Sequence, residues 1–160
     1  MSKLLVTDWM KPLTSRRKIV AVIELDQAAL PNNGAYQAFT PQHLLQADEH
    51  VEIGSTLLVV GFPLGFQDTL HRMPVARHAG LASSFGLRFH GLGYFLTDGR
   101  THRGLSGAPV VKRAGVEGEL PWKLLGIHST RLLGNRDEGQ DEALGLNCTW
   151  YADILMTLTE

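Results

Sequence analysis

The stretch Arg100–Val111, which reads RTHRGLSGAPVV, places one serine inside a glycine-rich turn. Ser106 stands between Gly104 and Gly107, and Pro109 with two valines follows. A serine hydroxyl is a weak nucleophile near neutral pH, so a catalytic serine needs a base and a pocket for the oxyanion. Glycines on both sides let the chain fold so that the N–H groups of Gly104 and Ser106 face one point. The stretch therefore predicts either a structural turn or a reactive serine with its oxyanion hole.

A nucleophile elbow, Gly-x-Ser-x-Gly, is the competing interpretation of the same residues. Its last glycine would fall at Ala108, and Pro109 with the two valines continues as a strand instead of opening a helix. The pattern favours a turn that leads into a strand.

Composition excludes several classes of function. The length of 160 residues fits one domain or a piece of a slightly larger one, with 44% hydrophobic and 19% charged residues. The net charge of −1 without a basic run argues against nucleic acid as a partner. The one cysteine, Cys148, permits no internal disulfide and fits a reducing compartment. No signal peptide, membrane span or metal-ligand spacing is recognisable, so we expect a cytoplasmic protein without a membrane partner, bound metal or cofactor.

Most of the chain has the pattern of short strands separated by glycine and proline. Strands are predicted at Lys18–Leu25, Thr56–Val60, Leu92–Asp98, Ala108–Arg113 and Trp122–Thr130, with a further alternating segment at Pro74–Gly86. A helical turn is predicted at Thr40–Gln46, a surface loop at Gly134–Ala143, and a closing amphipathic helix from the spacing of Trp150, Ile154 and Leu158. This order of elements predicts an all-β barrel protein with a C-terminal helix.

Several segments, taken in order, resemble the chymotrypsin-like (trypsin-like) serine peptidases, and bacterial members in particular. They are VGFPLGF, PVARHAGLASSFG, FLTDGRTHRGLSGAPVV, LLGIHS and LGLNCTWYADIL, and the resemblance extends from Lys18 to Leu155. It implies two antiparallel β-barrels with an active site between them, followed by a C-terminal α-helix. The second barrel is expected to be complete at residues 46–160, while residues 1–45 are a remnant of the first barrel and the inter-barrel connection.

The resemblance assigns roles to individual residues. Ser106 matches the nucleophile, and Gly104 and Ser106 match the donors of the oxyanion hole. Ser129 and Arg131 match the strand edge that holds the substrate backbone. Leu105 replaces the aspartate that anchors a newly cut N-terminus in secreted digestive members, so zymogen activation of that type is not expected.

Substrate preference follows from three further residues. Arg100 and Thr101 match the base of the specificity pocket, and His128 matches the pocket histidine of bacterial glutamyl endopeptidases and of viral relatives that bind glutamine. A hydroxyl with an imidazole can bind an acidic or amide P1 side chain through hydrogen bonds. The alternative is that His128 is an interior histidine with satisfied hydrogen bonds and that Arg100 points to solvent.

The catalytic histidine and aspartate of the family are not recognisable here. In chain order both should precede the serine, yet Lys18 or Ile19 stands where the aspartate is expected, and no histidine precedes Lys18. Each of the seven histidines that follow is a poor candidate for a substitute base: His43, His50, His71, His78, His90, His102 and His128.

Three interpretations therefore remain open. The first is a serine endopeptidase that acts by acyl transfer through Ser106 on a peptide or protein substrate, with this chain truncated or inactive by itself. The second is a pseudopeptidase that serves as a peptide- or protein-binding module. The third is an unrelated β protein in which GLSGAP is only a turn. Under the first, a homodimer or strand exchange would complete the first barrel, because exposed strand edges favour such pairing.

Overall fold

A computed structural model describes residues 20–26, 37–46, 48–115, 120–133 and 143–159. Its regular elements are six strands and one short α-helix: β1 (Thr56–Gly61), β2 (Val75–Gly80), β3 (Tyr94–Thr97), β4 (Pro109–Arg113), β5 (Trp122–Leu133), β6 (Ala143–Tyr151) and α1 (Ile154–Thr159). Three 3₁₀ turns lie at Pro41–His43, Pro63–Gly65 and Phe89–Gly91. No helix in the described part of the chain has the length and apolar character needed to cross a bilayer.

The six strands form one antiparallel sheet in the order β2-β1-β4-β5-β6-β3. The two outer strands meet at one corner, where Leu81 after β2 bridges Thr97 at the end of β3. This bridge bends the sheet towards a barrel. The predicted all-β barrel architecture with a C-terminal helix is confirmed.

The core lies inside the curved sheet, where alternate apolar side chains of each strand meet. Leu57 and Val59 of β1, Phe95 of β3 and Leu125 of β5 are all at most 1% exposed and belong to one cluster. Burial of each of these four side chains stabilises the folded state by about 1.5–3 kcal/mol. The period-two pattern that predicted these strands therefore also identifies their inward faces.

The prediction of a strand at Lys18–Leu25 is wrong for the residues of this segment that the structure describes. Residues 20–26 have no regular secondary structure, and Ile23 and Leu25 are exposed. A β-branched run becomes a strand only where another strand pairs with its backbone, and no described strand pairs with this one.

The closing helix is shorter than its apolar spacing predicted. Trp150 belongs to β6, where it lies opposite Tyr94 of β3 and Ile127 of β5, and the helix begins only at Ile154. Pairing with a strand on each side outweighs the helical spacing of three side chains. The loop predicted at Gly134–Ala143 lies outside the described residues up to 142, and Ala143 already opens β6.

The other predicted elements are confirmed with small changes of boundary. Thr40 precedes the helical turn at Pro41–His43 and caps it, and β1, β3, β4 and β5 fall inside or around their predicted ranges. The alternating segment predicted at Pro74–Gly86 is a strand only at its start, in β2, and continues as the closing corner of the sheet.

Candidate active site around Ser106

The turn that carries Ser106 is fixed from both sides. Gly104 and Gly107 have φ angles of 91° and 85°, a conformation that side chains other than glycine disfavour. The N–H group of Gly107 donates to the carbonyl of His128 at 2.8 Å, which ties the turn to β5. A Cβ atom at Gly104 would lie 2.5 Å from the carbonyl oxygen of Phe62, so the loop after β1 packs directly against the turn. Both glycines are thus required by the structure.

Two backbone donors stand beside the Ser106 side chain. In the part of the chain that the structure describes, no group accepts a hydrogen bond from the N–H of Gly104 or of Ser106. The N–H of Leu105 reaches the carbonyl of His102 and that of Ala108 reaches the carbonyl of Leu105, whereas the N–H of Arg103 has no described acceptor either. Two of these unpaired donors, those of Gly104 and Ser106, are the ones predicted for an oxyanion hole.

The Ser106 hydroxyl is exposed and donates a hydrogen bond to the carbonyl of Ser129 at 2.8 Å. Ser129 is the extra residue of a bulge, because the pairing of β5 with β6 passes from His128 directly to Thr130. A bulge leaves the backbone groups of its extra residue outside the ladder. The hydroxyl therefore lies at the part of β5 predicted to hold a substrate backbone, and the exposed Arg131 follows two residues later.

No histidine among the described residues hydrogen-bonds to Ser106. Nδ1 of His43 accepts a hydrogen bond from the backbone N–H of Thr40 at 2.9 Å and lies at the same distance from the Thr40 hydroxyl. The His71 ring pairs with Asp68 at 2.6 Å, on an exposed surface. All seven histidines of the chain are among the described residues, so the other residues hold no further candidate for a histidine base.

Inside the barrel lies a buried polar cluster, formed by Thr97, Thr101, His128, Asn147 and Thr149, each at most 3% exposed. The Thr101 hydroxyl donates to Asn147 Oδ1 at 2.6 Å. Asn147 Nδ2 donates to the carbonyls of Thr97 and Gly99 at 3.1 and 2.7 Å. Thr149 is two residues further along β6 and lies opposite His128 on β5, so four segments of the chain contribute to one interior site.

Several atoms of the polar cluster have no hydrogen-bond partner among the described residues. They are His128 Nδ1 and the hydroxyl oxygens of Thr97 and Thr149. Such a buried group costs about 1–3 kcal/mol when it is left unpaired. Burial first, and then the charge of Arg131, lower the pKa of His128 to about 4, so its imidazole is neutral near neutral pH. A neutral imidazole with free hydroxyls can both donate to and accept from a polar ligand.

The structure separates two residues that the sequence assigned to the same pocket. Thr101 is buried in the polar cluster, whereas its neighbour Arg100 is exposed and lines an open groove on the outer surface. Sequence reasoning missed Asn147 and Thr149, although polar residues at alternate positions in the apolar segment Leu146–Trp150 are the signal of a strand with a polar inner face.

Comparison with known proteins adds one finding. No family model matches the chain, and no curated protein matches it. Among solved structures, the chain is similar to Rv3671c from M. tuberculosis H37Rv, crystallised in an inactive form as a serine-to-alanine mutant, with 17% identity and a TM-score of 0.46. The similarity covers 72% of this chain and 51% of that one, so this chain spans about half the length of that structure. A likeness at this level carries no argument about activity, which rests on the residues of the site.

Proposed function

We propose that this chain carries the nucleophile and oxyanion hole of a serine endopeptidase, with Ser106 as the residue that is acylated. The observation that supports the proposal is the arrangement of the turn. An exposed hydroxyl stands beside two N–H donors, of Gly104 and Ser106, that no described group uses. A donor aimed at the oxyanion contributes about 10²–10³ in rate.

The reaction requires a base that the described residues do not supply. The carbonyl of Ser129 accepts the Ser106 hydroxyl hydrogen but is too weak a base to take the proton. With a histidine supplied from a first barrel, to which residues 1–45 would belong, or from a second polypeptide, the proton passes to the imidazole as Ser106 Oγ attacks the peptide carbonyl. The two N–H groups then stabilise the oxyanion, the amine leaves with the proton, and water hydrolyses the acyl-enzyme.

The polar cluster supports a preference for an acidic or amide P1 side chain. Thr101 and His128 are buried together with Asn147 and Thr149, and free polar atoms remain among them. A side-chain amide could donate to the neutral imidazole and accept from a hydroxyl. A carboxylate would favour the protonated imidazole, so its binding should strengthen as the pH falls towards the low pKa of His128. Ser129 and Arg131 would hold the peptide backbone along β5.

A fluorophosphonate probe tests whether Ser106 is reactive. The wild-type chain is compared with Ser106→Ala and with Ser84→Ala, which changes a half-buried serine outside the site. We expect labelling of the wild type and of Ser84→Ala, and none of Ser106→Ala. If a separately expressed segment or partner is needed to supply the base, its addition should raise the labelling rate of the wild type and of Ser84→Ala, and leave Ser106→Ala unlabelled. Labelling that survives Ser106→Ala would overturn the assignment.

A second candidate function is a pseudopeptidase that binds peptides without cleaving them. It is favoured by the hydrogen bond from the Ser106 hydroxyl to Ser129 and by the lack of a histidine partner among the described residues. In that case no condition labels Ser106, yet peptides ending in glutamine should bind more tightly than peptides ending in leucine. The variant His128→Leu should remove this difference, and equal binding of both peptides to the wild type would contradict the binding function.

A further inference from the structure

An open groove of about 860 Å³ lies on the outer surface, between the loop after β1 and the first half of β2. Four basic side chains line it: Arg77 and His78 from β2, and Arg100 and His102 from the segment before Ser106. Within the described ranges, no carboxylate lines the groove and none of these four side chains forms an ion pair. The two arginines therefore place two uncompensated positive charges at one surface site.

The groove runs along a free strand edge. The N–H of Gly80 donates to Asp98 Oδ1 at 2.6 Å, and its carbonyl accepts from the N–H of Asp98 at 3.2 Å, so the backbone groups of Gly80 point away from β1. Since backbone directions alternate along a strand, those of Ala76 and His78 point the same way. No described residue hydrogen-bonds to these groups from that side. The N–H groups of Ala76 and His78 and the carbonyl of Ala76 are thus available for an added strand, whereas Gly99 already lies close to the carbonyl of His78.

Apolar side chains lie next to this edge. Leu64 and Phe66 line the same groove and are 71% and 67% exposed, and Val75 at the start of β2 is half-buried. Large apolar side chains that lie together at the surface are typical of an interaction site. A strand laid along β2 would cover them with alternate side chains.

We propose that this groove binds an extended acidic peptide segment of a partner protein, which adds to the sheet beside β2. The backbone of the segment pairs with Ala76 and His78, its carboxylates reach Arg77 and Arg100, and its intervening apolar side chains pack on Leu64 and Phe66. This mode of recognition takes affinity from main-chain hydrogen bonds and specificity from alternate side chains. The site does not depend on the chemistry of Ser106.

Charge selects the partner. A second copy of this chain, paired through its own β2, would bring the same arginines against each other, and like charges facing across a strand pair are destabilising. An acidic segment meets the opposite charge and has its carboxylates held by charge-assisted hydrogen bonds. The groove is therefore complementary to an acidic chain and not to itself.

Fluorescence anisotropy at low ionic strength tests the proposal with two labelled peptides, one of alternating valine and glutamate and one of alternating valine and glutamine. We expect the glutamate peptide to bind more tightly. The double variant Arg77→Gln/Arg100→Gln should weaken its binding by roughly fivefold to tenfold, since an exposed ion pair contributes a few-fold. The matched control Arg113→Gln removes an exposed positive charge elsewhere, on β4, and should leave the affinity within roughly twofold.

The strand edge has its own test. The variant Ala76→Pro removes an outward N–H and leaves the hydrogen bonds between β2 and β1 in place. It should weaken the binding of the glutamate peptide by roughly fivefold, as expected for a lost hydrogen bond. Hydrogen exchange measured by NMR gives a readout on the wild type. Addition of the glutamate peptide should slow exchange at the amides of Ala76 and His78, and leave the amide of Arg77, which faces β1, unchanged.

Three results would overturn the proposal. Equal affinity for the glutamate and glutamine peptides would show that the arginines do not recognise the carboxylates of the peptide. Unchanged exchange at Ala76 and His78 in the saturated complex would exclude strand addition. Displacement of the glutamate peptide by inorganic phosphate at equal ionic strength, without any effect of Ala76→Pro, would mean that the groove takes a phosphate group and not a peptide strand.

Discussion

The buried imidazole of His128 should make the stability of this protein depend on pH in a defined window. The side chain is 3% exposed, its Nδ1 has no hydrogen-bond partner in the part of the chain that the structure describes, and burial lowers its pKa from 6.5 to about 4. The unfolded chain takes up a proton at this residue near pH 6.5, whereas the folded chain resists it until about pH 4. Between these values the unfolded state binds more protons, so the free energy of unfolding must fall as the pH falls.

The size of the effect follows from the two pKa values. The full contribution of neutral His128 is present above pH 6.5, and its loss amounts to about 2 kcal/mol at pH 5 and about 3 kcal/mol at pH 4. For a domain that is stable by 5–15 kcal/mol, as is typical, such a loss is easily measured. The carboxyls of Glu49 and Asp68 also have lowered pKa values. They change the free energy of unfolding mainly below this pH window, since their ordinary pKa values are 4.5 and 3.8.

Urea unfolding followed by tryptophan fluorescence, at about pH 7 and about pH 5, measures the difference. His128→Leu, which cannot titrate, should lose about 2 kcal/mol of this pH dependence. His50→Leu, at an exposed histidine, should keep the wild-type dependence. If the wild type and His128→Leu lose the same stability between the two pH values, His128 is not the group responsible and the reasoning from its burial fails.

Three further changes test the site by the free energy of unfolding in urea. Gly104→Ala forces a side chain into a φ of 91° and against the Phe62 carbonyl, and should cost about 2 kcal/mol or more and abolish fluorophosphonate labelling. Gly126→Ala places a Cβ against the Trp150 carbonyl where β5 and β6 pair, and should cost about 3 kcal/mol. Asn147→Leu removes three buried hydrogen bonds and should cost about 3 kcal/mol. An effect below about 1 kcal/mol for any of them would contradict the corresponding contact.

The reactive turn shows how local sequence can predict local structure. Glycines at 104 and 107 are the residues that adopt positive φ without strain, and both do so. The same holds for β1 and β4, whose β-branched, alternating residues predict a strand with one buried face. In each case the preference belongs to a few consecutive residues, so the sequence alone determines it.

The fate of two other segments depended on their neighbours in space. Residues 20–26 are as β-branched as β1 but pair with no described strand, whereas residues around Trp150, spaced as a helix, are drawn into β6 between β3 and β5. The polar cluster is the same kind of result, because Thr101, His128 and Asn147 come together from three distant segments. Likewise the closure of the barrel sends Thr101 inward and leaves Arg100 at the surface. Backbone preference acts over a turn or two of chain, whereas strand pairing and burial join residues far apart in sequence, and only the tertiary structure decides them.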